Sequence, residues 1–150
     1  MAITDEQVRA LGAYLSQRPT DAIRHHESLG RSDGSVGYAE LVASAFIIAA
    51  RRRFVPPWSR AAVIRYVADV RRREISHDDF DPLTAETITL RALGVRDDAD
   101  LDEEQRIRSE IFLLEALVLD AGLQPADIDT LLTEARLLAP NLFSRDAGTP

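Results

Sequence analysis

Leu41-Val-Ala-Ser-Ala-Phe-Ile-Ile-Ala-Ala50 is the stretch on which the fold turns. Its apolar residues fall on every side of a helix, so other parts of the chain must cover it. The run is far shorter than the ~20 residues needed to cross a bilayer. It therefore reads as a buried helix over 38–54, and no membrane association is expected. Pro56-Pro57 ends it.

A second strongly apolar helix is expected over 102–121. Ile107, Ile111, Leu114, Val118 and Ala121 form its stripe, which Phe112, Leu113 and Leu117 widen. Gly122 stops it. Five shorter helices accompany these two. One over 4–17 starts at a Thr4/Gln7 capping box, with Ile3 placed to staple onto Val8 and Leu11 and Leu15 facing inward. One over 20–29 follows Pro19. One over 59–74 has Ser59 as its cap, Trp58 stapled onto Val63, and an inner face of Val63, Ile64, Val67 and Val70. One begins at Asp81-Pro82 and ends at Gly94, with Val95 closing onto Leu90. The last, over 125–139, buries Ile128, Leu131, Leu132, Ala135 and Leu138. Arg31-Ser-Asp-Gly-Ser-Val-Gly37 and His77-Asp-Asp-Phe-Asp81 read as connecting segments. No strand-like alternation appears. The expected architecture is all-α: a compact single-domain bundle of about seven helices over 1–143, built around 38–54 and 102–121, with a frayed tail over 144–150.

The 150 residues include no cysteine, which excludes disulfides, thiolate metal sites and a cysteine nucleophile. All 18 basic residues are arginine, so every cationic contact uses a permanently charged planar fork. The amino-terminal Met1-Ala-Ile-Thr-Asp-Glu-Gln7 is acidic and has no apolar core, unlike a secretion signal. A cytoplasmic setting is the expectation.

Charge is strongly segregated. Residues 51–73 hold eight arginines and one acid, Asp69, while the chain as a whole carries −7. Something must neutralise this island, either an acidic partner or the chain's own carboxylates. The helical ends at Arg51, Arg52, Arg53 and at Arg71, Arg72, Arg73 also complement helix macrodipoles. Acidic loops at 97–104 and 78–81 could supply internal counterions. Arg60, Arg65, Phe54 and Trp58 lie between the two triplets. An arginine fork binds carboxylates bidentately, and an aromatic side chain can anchor a partner segment. These ten residues make up the expected partner-binding site.

No phosphate-binding glycine loop, nucleophile elbow or zinc-helix motif occurs. Asp98, Asp100 and Asp102 are spaced like calcium ligands, but Glu103 and Ser109 occupy the positions where an EF-hand needs glycine and a bidentate glutamate. Glu40, Glu110 and Glu115 lack the helical histidines of a bundle di-metal site. The order His25 or His26, His77-Asp78 and Asp120 resembles metal-dependent phosphohydrolases of the HD superfamily, and that resemblance implies a divalent-metal hydrolase. Here, however, His77-Asp78 reads as a linker pair, whereas the family carries it on a helix.

Tyr38-Ala-Glu-Leu-Val-Ala-Ser-Ala-Phe46, Val63-Ile-Arg-Tyr-Val-Ala-Asp-Val-Arg71 and the Asp81-Pro82 helix start resemble small uncharacterised helical proteins of actinobacteria. The resemblance spans residues 5–140. It implies a helical fold in a bacterial cytosol and carries no activity.

The leading expectation is a non-enzymatic interaction or regulatory module that docks an acidic protein on the arginines, needs no cofactor, and self-associates as a homodimer. Nucleic-acid or nucleotide binding by the same arginines ranks second, because a pI of 4.9 opposes it. The metal-dependent hydrolase is the remote alternative.

Overall fold

The computed structural model describes residues 3–16, 35–73 and 81–143. These form six helices and no strand: α1 (Asp5–Leu15), α2 (Ser35–Arg53), α3 (Arg60–Arg73), α4 (Pro82–Ala92), α5 (Glu103–Asp120) and α6 (Pro125–Phe143). The expected helix over 20–29, the histidines at 25, 26 and 77 with Asp78, and the tail over 144–150 lie outside the described residues. No described helix is long and apolar enough to cross a membrane.

Contacts divide the chain into two compact units. The first comprises 1–45 and 122–150, and α1 packs on α6 within it. Its core includes Leu11, Leu15, Leu41, Val42, Ile128, Leu131 and Leu132. The Thr4 hydroxyl accepts from the Gln7 amide at 3.1 Å, and the Gln7 side chain returns the bond to the Thr4 amide at 2.9 Å, closing the capping box. Arg136 pairs with Asp5 at 2.6 Å. Two boundaries move relative to expectation. Ser35-Val-Gly37 belongs to α2, three residues upstream of the expected start. Likewise, α6 continues past Pro140 to Phe143.

The second unit, 46–121, holds the end of α2 together with α3, α4 and α5. Within it α4 packs on both α3 and α5, and α3 also meets α5. The short α4 is heavily enclosed, with Thr84, Ala85, Ile88, Thr89, Leu90 and Ala92 all buried. It stops in a Schellman turn: Gly94 adopts φ 99°, its amide donates to the Arg91 carbonyl at 3.0 Å, and the Val95 amide donates to the Leu90 carbonyl at 2.9 Å.

Two inward faces differ from the sequence reading. On α3, Ile64 is 42% exposed, and Tyr66, at 6%, takes the inner position beside Val63, Val67 and Val70. Residues 63, 66, 67 and 70 form a true i, i+3, i+4, i+7 stripe, from which Ile64 is rotated about 100°. On α5, Ser109, Glu110, Leu113, Leu114, Ala116, Leu117 and Val118 are buried, Ile107, Ile111 and Phe112 are half-buried, and Ala121 is exposed. Two helices press on α5, and their positions set its enclosed arc.

Candidate functional site

The arginine island lies wholly within the second unit, and its members have different surroundings. Arg51 donates through Nε to the carbonyl of Ala92 at 2.9 Å. That carbonyl belongs to the last turn of α4, where acceptors lack helical partners, so Arg51 serves as a cap between two helix ends.

Arg73 forks onto Asp120 at the end of α5, with Nη1 to Oδ1 at 2.7 Å and Nη2 to Oδ2 at 3.0 Å. Its Nε also donates to Asp69 at 3.2 Å, and Arg72 reaches the other oxygen of Asp69 at 3.2 Å. The hydrogen bonds to Asp120 and Asp69 push the Arg73 guanidinium above its ordinary range. The same bonds from Arg73 hold both carboxylates below theirs. Arg72 and Arg73 are therefore neutralised internally, by Asp69 and Asp120. Four acids of 97–104 are engaged elsewhere: Asp97 faces Arg91, Asp102 caps α5 by accepting from the Gln105 amide at 3.1 Å, and Glu103 and Glu104 pair with Arg106 and Arg108.

Arg53 differs. Its guanidinium lies 5.0 Å from the centroid of the Tyr66 ring, a cation–π contact. Phe54, buried, meets the same ring edge-on at 5.7 Å and 82°. The Tyr66 hydroxyl donates to Asp120 at 2.9 Å. Burial, reinforced by that bond, raises its pKa. Tyr66 thus contacts Arg53, Phe54 and Asp120 at once.

Arg53, Phe54, Ala62, Arg65, Tyr66 and Asp69 line an open groove of about 480 Å³. Ala62, Arg65, Tyr66 and Asp69 stand at i, i+3, i+4 and i+7 on α3 and so share one wall. Arg65 is exposed and, among the described residues, pairs with no carboxylate. The same holds for Arg60 and Arg71, which lie outside the groove. Arg52 is exposed, and Trp58 is half-buried. The sequence reading did not single out Tyr66 and placed Asp120 only in the HD-like set, yet the two organise the site. The Tyr66 phase on the Val63 stripe was the available signal.

Among the described residues, no group of three or more histidine, aspartate and glutamate side chains is placed to hold a metal. Asp120, the third member of the HD-like set, instead binds Arg73 and Tyr66.

No known protein family, curated protein or solved structure matches the chain.

Proposed function

We propose that this protein is a non-enzymatic helical interaction or regulatory module that docks an acidic protein segment on the arginines of the α2–α3 region. One observation carries the reading: Arg53 and Arg65, neither ion-paired with a carboxylate among the described residues, line one open groove with Phe54 and Tyr66. Arg51, Arg72 and Arg73 have internal partners and hold the scaffold. Arg60 and Arg71 add surface charge that steers an acidic segment inward. Phe54 acts from the groove's lining.

An acidic protein segment fits better than nucleic acid. The chain as a whole carries −7, which disfavours an extended phosphate backbone. A short carboxylate-bearing segment confined to the groove avoids most of that charge.

Parallel titrations of labelled octaglutamate and a single-stranded octanucleotide test the reading. Octaglutamate binding that is lost in Arg53→Glu/Arg65→Glu supports it. Nucleotide binding that falls steeply with salt, without peptide binding, transfers the site to nucleic acid.

A further inference from the structure

We infer that the groove's guest is an acidic segment bearing one aromatic side chain flanked by carboxylates, a refinement that rests on the acidic-docking reading above. The groove is not a bare cationic patch. Phe54, Ala62 and Tyr66 add apolar lining beside the two arginines. Ala62 is the smallest lining residue, half-buried on the shared face of α3, and the space beside it is what a larger side chain would otherwise occupy. A volume of about 480 Å³ accommodates one ring together with the backbone that carries it.

Charge orients the guest. Asp69 lies one helical turn beyond Arg65 on the same wall, so the Asp69 end of the groove disfavours a carboxylate even though Arg72 and Arg73 bind its oxygens. The Arg65 and Arg53 end favours one. Arg53, held over the Tyr66 ring by its cation–π contact, keeps N–H groups that suit bidentate contact with an acid. A guest with its carboxylates at Arg53 and Arg65 and its ring beside Ala62 satisfies both parts of the lining. Polyglutamate uses the charges alone.

The test is fluorescence anisotropy with two labelled heptapeptides, Glu-Glu-Glu-Phe-Glu-Glu-Glu and its central-alanine counterpart. They are titrated into wild type, Ala62→Leu, Arg65→Glu and the equal-charge control Arg96→Glu, each checked for helicity by circular dichroism. Wild type should prefer the phenylalanine peptide by about tenfold or more, the scale of burying one aromatic side chain. Ala62→Leu fills the space without altering charge, and it should remove that preference while leaving the alanine peptide's affinity in place. Arg65→Glu should abolish binding of both, and Arg96→Glu should resemble wild type. Equal affinity of wild type for the two peptides would overturn the aromatic anchor and leave acidic docking standing. If folded wild type bound neither peptide, the docking reading and this refinement would both fail.

Discussion

Tyr66 and Asp120, 54 positions apart in the chain, share a hydrogen bond in which the phenol donates to Oδ2 at 2.9 Å. Asp120 ends α5, where the helix dipole disfavours negative charge. The Arg73 fork offsets this from the end of α3, where a cation is welcome. Removing the carboxylate therefore strands two donors at once. Asp120→Ala should destabilise the protein by ~1–3 kcal/mol, read from the urea midpoint. Tyr66→Phe should cost less, and the double variant should cost less than the sum of the singles. Strict additivity would show that the contact is not energetically coupled.

The arginines should separate by stability as well as by binding. Arg73→Ala breaks the link between α3 and α5 and should lower stability by about 1 kcal/mol, a modest figure because the pair is partly exposed to solvent. Arg65 pairs with no carboxylate among the described residues, so Arg65→Ala should fall within about 0.5 kcal/mol of wild type. Thermal or urea unfolding of the two variants side by side checks the division.

Two titrations shape stability against pH. Burial raises Glu110 to about 7, although Arg106, 2.8 Å away, opposes the rise. The folded state then binds a proton that the unfolded state has released, so stability falls as pH rises from ~4.5 to ~7. Asp120 has the opposite sign. Its depressed pKa contributes stability above ~4 that is lost as the pH drops through its folded value. A maximum at pH ~4.3 is expected between these two windows. Glu110→Gln should raise the melting temperature at pH ~8 and have a much smaller effect at pH ~5, where wild-type Glu110 is already protonated.

Glycine substitutions at two positions should act in opposite directions. A Cβ at Gly12 of α1 would meet Leu132 at 3.5 Å, an ordinary contact, so Gly12→Ala should stabilise by up to ~1 kcal/mol through helix propensity. Gly94→Ala meets no neighbouring atom but must adopt φ 99°, and it should destabilise by ~1 kcal/mol or more. Melting temperatures of the two variants should bracket that of wild type.

Helix ends were legible in the sequence because their chemistry is local. The Thr4–Gln7 box, Pro82 at the first turn of α4 and the Gly94 stop each depend on residues within a turn or two. Which face a helix buries depends on distant neighbours, so Ile64 and Ala121 were expected inside and are exposed, while Tyr66 is found inside. The island itself was visible as a run of charge. Its counterions were not, because Asp120 meets Arg73 across 47 positions, and the acidic loop at 97–104, nearer the eye, serves arginines of α4 and α5. The groove needed both pieces of missing information: the phase of Tyr66 and the arginines left over once the internal pairs had formed.

The most direct test of acidic docking is the affinity of octaglutamate for Arg65→Glu beside Arg96→Glu, two exposed reversals that change net charge equally. The account predicts that binding disappears in the first and persists in the second. Equal affinities in both would contradict it, because the attraction would then come from overall charge and not from the groove.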